Sequence, residues 1–285
     1  MKYAFFPGCV LRGAASEAFL ATVKVTEALG IELVEIPNWT CCGASHLQDV
    51  DEITALAINA RNLAIAETMG LPLMTVCNTC TLQLRRAKET LAQDAKLKAK
   101  VNAIFAKSGY EYRGTVEITH LLWVLASNPQ LLAGKVVKPL TGVKVAGYYG
   151  CHLLRPPTIM NYEDCLHPQS LEKIIGLLGA EAVDFEFKLK CCGFHAFWTA
   201  EKDVLKVTGQ TVDSAAKAGA EMVVTPCPLC QMQLDMYQPE GREAAKTQAD
   251  LPILHLPQLI GLALGMRKDE LGIQRHVSAA EKVRG

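Results

Sequence analysis

Ten of this chain's eleven cysteines fall into two copies of one spacing, and that duplication limits the possible folds more than any other feature. Cys41-Cys42-Gly43 and Cys77-Asn78-Thr79-Cys80 return 150 positions later as Cys191-Cys192-Gly193 and Cys227-Pro228-Leu229-Cys230. A fifth cysteine leads each copy: Cys9 after Phe6-Pro7-Gly8, and Cys151 after Tyr149-Gly150. Only Cys165 stands outside the pattern, as an ordinary buried thiol. Scattered structural cysteines keep no fixed period, so the chain reads as two copies of one five-thiol site. A length of 285 residues suits two halves near the usual domain size. The expected boundaries are an N-terminal domain at 1–127, a Pro- and Gly-containing linker at 128–141 and a C-terminal domain at 142–266. A charged tail, 267–285, is expected to be either loose or partner-binding.

Hydrophobic periodicity supplies the elements between the cysteines. Short β-rich runs at 2–6, 32–36, 73–76 and 116–118 alternate with helical spacing at 14–29, 51–69, 80–90 and 97–107. The second half repeats the order, with strands at 143–149, 183–187, 222–225 and 253–254 and helices at 170–178 and 200–218. Such alternation predicts an α/β chain: two similar βα-repeat domains with mostly parallel sheets, related by a pseudo-twofold axis. In sheets of that kind ligands collect beyond the carboxyl ends of the strands, and every motif cysteine falls there.

What the thiols hold follows from their number and surroundings. Lys+Arg and Asp+Glu balance at 29 each, giving no reason to invoke nucleic acid. The first residues lack the pattern of a secretory signal, and no apolar run approaches the roughly 18 residues of a spanning helix. The expectation is a soluble, cytoplasmic chain in a reducing compartment, which disfavours disulfides. Structural zinc takes four ligands and would leave one of five thiols idle, and the adjacent Cys41 and Cys42 chelate one small ion with difficulty. An iron–sulfur cluster has several metal atoms, so neighbouring thiolates can reach different irons, and the ligand count favours it. No Gly-x-Gly-x-x-Gly follows a strand, so electrons have to come from, or go to, a partner.

The pattern Cys9…Cys41-Cys42-Gly43…Cys77-x-x-Cys80, with its second copy Cys151…Cys191-Cys192-Gly193…Cys227-x-x-Cys230, resembles the paired CCG domains of the cysteine-rich, B-type subunit of heterodisulfide reductase. Gly150-Cys151-His152 and Arg155-Pro156 extend the likeness, which covers nearly the whole chain. The resemblance implies two noncubane [4Fe-4S] clusters. Cys9, Cys41, Cys42, Cys77 and Cys80 would hold one, and Cys151, Cys191, Cys192, Cys227 and Cys230 the other. It further implies two-electron reduction of a small disulfide, or oxidation of thiols, including protein-bound ones, between the clusters. The implied partners are a ferredoxin-like iron–sulfur protein of the C type and a flavin-containing protein of the A type, as further subunits of one complex. The alternative is a CCG-type electron-transfer subunit passing electrons to or from quinone in a succinate- or glycolate-oxidising complex, or a thiol- and sulfur-oxidising variant. A zinc-stabilised scaffold is the non-catalytic option, and metal analysis separates it from the others.

Outside the thiols, the candidate catalytic residues are His152 and Arg155. His152 is able to donate a proton to a leaving thiolate or to orient Cys151. Arg155 is able to bind an anionic substrate tail, although Arg12 occupies a similar place in the first half, which favours a structural role. His46 and His195 follow the CCG triads and are candidates to line the pocket. His120 and His255 open apolar helices, where capping or packing is expected.

Overall fold

A computed structural model describes residues 1–44 and 46–284. In the first half the elements run β1 (Lys2–Phe5), α1 (Gly8–Arg12), α2 (Ser16–Ala28), β2 (Glu32–Glu35), α3 (Leu47–Val50), α4 (Glu52–Thr68), β3 (Leu73–Thr75), α5 (Asn78–Gln93), α6 (Ala95–Phe105), β4 (Ile118–His120) and α7 (Leu121–Ser127). The second half runs β5 (Lys144–Gly147), α8 (Ser170–Leu177), β6 (Glu181–Val183), α9 (Glu201–Lys217), β7 (Met222–Thr225), α10 (Pro228–Met236), α11 (Gln238–Ala245), β8 (Ile253–His255) and α12 (Leu256–Ala263).

Each half builds one four-stranded sheet, in the orders β2-β1-β3-β4 and β6-β5-β7-β8, and all their pairings are parallel. The identical order is what a duplicated βα unit produces, and the expected α/β class with two similar, mostly parallel domains holds. Central strands are apolar on both faces, as with Ala4, Phe5, Leu73 and Met74 in one sheet and Val145, Ala146 and Val223 in the other. Helices cover both faces. Between the sheets α2 packs on α12 and α7 packs on α8. These are one contact and its counterpart, as a pseudo-twofold relation requires. The core beneath them mixes both halves: Ala21, Val25 and Leu125 share it with Ile174, Leu259 and Ile260.

Three local expectations change. The strand placed at 183–187 ends at Val183, because the following turn is held by the leading-cysteine loop: Tyr149 and Gly150 donate their amides to Lys188 O at 3.0 and 3.3 Å. The tail is not loose over its described length. Leu271, Ile273 and Val283 are buried, and buried Asp235 accepts the amides of Val277 and Ser278, each at 3.0 Å. Glu270 pairs with Lys24 of α2, and Arg284 with Glu221, so the tail straps the two halves together; Gly285 lies outside the described residues. Cys165 is half-buried against the core rather than buried, since it sits in the irregular stretch before α8.

The duplication is not filled identically. In the second half α9 crosses α11 backbone to backbone, and a Cβ on Gly209 would lie 2.0 Å from Gly241 O. Gly209→Ala should therefore destabilise the chain by about 1–3 kcal/mol, as overpacking does. The check is a lower urea midpoint with an unchanged slope.

Candidate functional site

Strand ends deliver the thiols. Cys77 and Cys227 leave β3 and β7 with extended backbone and become the N-caps of α5 and α10, with Cys80 and Cys230 in the first turns. A helix N-terminus favours thiolate, yet of these four only Cys227 is lowered; hydrogen bonding with neighbouring thiols, and then burial, raises Cys77, Cys80 and Cys230. Cys9 rides on α1, and Cys151 opens the turn after β5. The vicinal pairs follow β2 and β6. Two asparagines of α4 fasten the first pair. Asn59 Nδ2 donates to Cys42 O at 2.9 Å, and Asn62 exchanges bonds with Thr40, accepting its amide at 2.9 Å and donating to its carbonyl at 2.8 Å. Sequence reasoning passed over both, although two amides a turn apart amid alanines are a legible signal.

Within each half the sulfurs meet in pairs. Cys41 and Cys9 sulfurs lie 3.3 Å apart and those of Cys42 and Cys80 3.5 Å apart; the Gly43 and Gly193 amides point at Cys41 and Cys191 Sγ, each at 3.4 Å. Hydrogen bonding with Cys42 and Cys9, and the Gly43 amide, hold the Cys41 thiol well below the usual range against the effect of burial. Cys191 is lowered in the same way by Cys151 and Cys192. Burial works to raise Cys227, yet hydrogen bonds from Cys230 and Cys77 and the amides of Cys230 and Asn78 bring it well down. Hydrogen bonding with Cys41 and Cys191, and then burial, raises Cys9 and Cys151.

Cys77 and Cys227 are neighbours across the interface between the halves, each shifting the other's pKa. Asn78 Nδ2 joins the halves, donating to Tyr149 O at 2.9 Å. All five thiols of the first quintet line a cavity of about 130 Å³, closed from the other half by Phe194, His195, Pro228 and Leu229.

Thr79 gathers the histidines. Its hydroxyl lies 2.9 Å from His152 Nδ1 and 3.3 Å from His195 Nε2. The His195 ring centroid is 5.2 Å from those of both His46 and His152. Burial lowers the pKa of His152 and His195. Thr79 itself carried no sequence signal beyond its place inside Cys-x-x-Cys. Arg155 is exposed and outside the cavity lining, with a cis bond to Pro156. Arg12 pairs with Glu35 and lies 4.1 Å over the Phe19 ring. His120 and His255 stand at helix N-caps, as expected: His120 Nδ1 accepts the Leu122 amide at 3.1 Å, and the His255 amide donates to Gln258 Oε1 at 2.8 Å.

The donor set suits a polynuclear cluster. Among the described residues no three Cys, His, Asp or Glu side chains close on a point fit for a single ion. The space beside each quintet is kept by glycine, since a Cβ on Gly8 would sit 2.9 Å from Cys80 Sγ and one on Gly150 3.0 Å from Cys230 Sγ.

Fold and site together define a tandem cysteine-rich α/β protein with one thiol quintet per half. The CCG "Cysteine-rich domain" description matches residues 3–85 and again 145–235. The chain belongs to that cysteine-rich CCG family, together with the B-type subunit of heterodisulfide reductase. It is 33% identical over 280 residues to the B-type subunit of the ferredoxin:CoB-CoM heterodisulfide reductase of Methanosarcina mazei, covering 96% of this chain and 93% of that one. It is 50% identical over 282 residues to the 8-methylmenaquinol:fumarate reductase membrane anchor subunit of Wolinella succinogenes, covering 99% of each. A crystal structure of a hypothetical protein from Helicobacter pylori shares the fold, with a TM-score of 0.81 at 18% identity over 97% of this chain. The chain spans about half (51%) of that protein.

Two outcomes are expected. At φ +74° and with Cys80 Sγ so close, Gly8→Ala should lower metal occupancy of the first quintet and spare the second; metal content after anaerobic loading checks it. Burial depresses His120 to about 3 and His255 to about 4, against about 6.5 in an unfolded chain. Their contribution to stability is complete above about pH 6.5 and is lost as pH falls towards the folded values, where only the unfolded chain takes up the protons. Between about pH 7 and about pH 5 the urea midpoint of the protein should fall more than that of His120→Asn.

Proposed function

We propose that the chain is an iron–sulfur electron-transfer subunit of a multi-subunit oxidoreductase, holding one noncubane [4Fe-4S] cluster in each half and working between quinone and a fumarate- or succinate-handling partner. The first cluster would take Cys9, Cys41, Cys42, Cys77 and Cys80, and the second Cys151, Cys191, Cys192, Cys227 and Cys230. When bound, each cluster supplies one-electron exchange. The observation that carries the proposal is the contact of the two halves at the thiols, where Asn78 donates to Tyr149 O and the cavity of the first quintet is walled by Phe194, His195, Pro228 and Leu229; clusters held by the two quintets would face each other there. The 50% identity over 99% of both chains supports the quinone-linked version.

The protein's own groups have definable tasks. The amides of Gly43 and Gly193 stabilise thiolate at Cys41 and Cys191. Phe194, Pro228 and Leu229 cover the side of the first quintet that faces the other half, where Cys77 and Cys80 are buried. His152, held by Thr79, orients the loop that carries Cys151. No helix among the described residues is long and apolar enough to cross a membrane. Attachment to lipid or to partners would therefore use the surface; Val50 and Trp198, 85% and 89% exposed, follow the two CCG triads and suit a docking role.

A second version, disulfide reduction, is supported by the cavity that the first quintet shares with His195 of the other half. Converting R–S–S–R′ to two thiols consumes two electrons and two protons. His195 lines the cavity of the first quintet and shares the Thr79 hydroxyl with His152, so the pair would supply those protons, and exposed Arg155 is available to an anionic substrate tail. Partners in that version are a ferredoxin-like and a flavin-containing subunit.

Anaerobic isolation with iron, sulfide and zinc counts and an electron paramagnetic resonance spectrum tests the cluster assignment. Two clusters per chain are expected, with Cys41→Ser removing only the first; zinc without iron and sulfide overturns it. Electron exchange with a quinol analogue, against turnover of small disulfides, decides between the two versions.

A further inference from the structure

The first half leaves open a space that the second half fills. Counted at the period of 150, Gly209 corresponds to Asn59, Gln233 to Gln83 and Met236 to Arg86. In place of a backbone crossing, the first half has a pocket of about 340 Å³ bordered by α3, α4 and α5. Its buried base is formed by Asn59 and Gln83, 1% and 3% exposed. Asn59 commits both amide protons, to Cys42 O at 2.9 Å and Ala55 O at 2.8 Å, and its Oδ1 has no partner. Gln83 Nε2 has none either, whereas Gln233 Nε2 donates to the Thr208 hydroxyl at 3.0 Å. Half-buried Arg86 hydrogen-bonds the neutral amide oxygen of Gln48 rather than a carboxylate. Leu56 and Ala87 supply apolar wall, and exposed Asp49 and Glu52 stand at the rim.

Buried amide atoms are seldom left unpaired, and two of them beside a guanidinium in one pocket specify what completes them. The ligand has to accept from Gln83 and Arg86, donate to Asn59 Oδ1, lie against apolar wall and carry no strong negative charge past two rim carboxylates. A dicarboxylate fails the last condition. A quinol meets all of them, since each hydroxyl on its flat apolar ring both donates and accepts, and the quinone it becomes keeps both acceptor oxygens. We propose that this pocket binds the quinone head group. It adjoins the first quintet twice, through Asn59 on the Cys42 carbonyl and through Gln83, one helical turn beyond Cys80. The assignment rests on the quinone-linked function proposed above and names the site for it.

The test uses the full chain, loaded anaerobically, with reduced 2-methyl-1,4-naphthoquinone, the quinol, as probe in equilibrium dialysis. Gln83→Leu and Arg86→Met, the second copying the residue found in the other half, should each weaken binding about tenfold or more with cluster content unchanged. A photoreactive azido-naphthoquinone should label the peptide 78–93. Wild-type affinity in both variants, labelling confined to other peptides, or displacement of the probe by succinate would overturn the assignment. Failure of the site and failure of the function separate cleanly. If the variants bind and exchange electrons with quinol like the wild type, the site falls and the function stands. If the probe binds here but the loaded wild-type complex exchanges no electrons with quinol, the function falls and the site stands.

Discussion

The structure depends on the thiols being brought to one place by strands that all end on the same side. In a parallel sheet the carboxyl ends line up, and loops leaving them face a common space. Here two such sheets are opposed, so that Cys77 and Cys227, each the second residue past a central strand and the cap of a helix, are neighbours. Cys9, Cys41, Cys42 and Cys80 are arranged around that meeting point, as are their counterparts. Separating the sheets would leave the first quintet open to water on the side that the other half now closes.

The halves could not do this as independent domains. Helices α2 and α7 bury their apolar faces on α12 and α8, and the core residues they use come from both repeats. The carboxyl-terminal strap adds to this, fixing itself to Asp235 in the second half and reaching Lys24 in the first. A shared core holds the relative position of the two thiol quintets more rigidly than a linker would. Duplication has also left room for divergence. The Gly209–Gly241 crossing closes in one half a space that the other half keeps open and polar.

Much of this was legible in the sequence, and for a definite reason. Five cysteine positions repeated at one interval, with apolar runs before Cys77 and Cys227, determine two α/β repeats with the thiols past the strand ends, because strand period and cysteine spacing are local properties. The helix-capping roles of His120 and His255 were readable in the same way. What was not readable is where residues distant in the chain meet. Thr79 between His152 and His195 involves separations of 73 and 116 positions, and the turn at Lys188 is held by residues 38 and 39 positions earlier. The charged tail looked detached because the sequence does not display Asp235 waiting for its amides.

By itself, then, the sequence determined the chemistry at hand: ten thiols in two equal sets, each at the end of its own parallel sheet. Only the tertiary structure decided that the two sets face one another, that Arg155 stays at the surface while His195 closes the other half's thiol cavity, and that one repeat retains an open pocket. The physical reason is that ligand identity and spacing are written along the chain. The approach of two sheets instead depends on the summed packing of apolar faces, to which dozens of residues from both halves contribute and in which no short stretch is decisive.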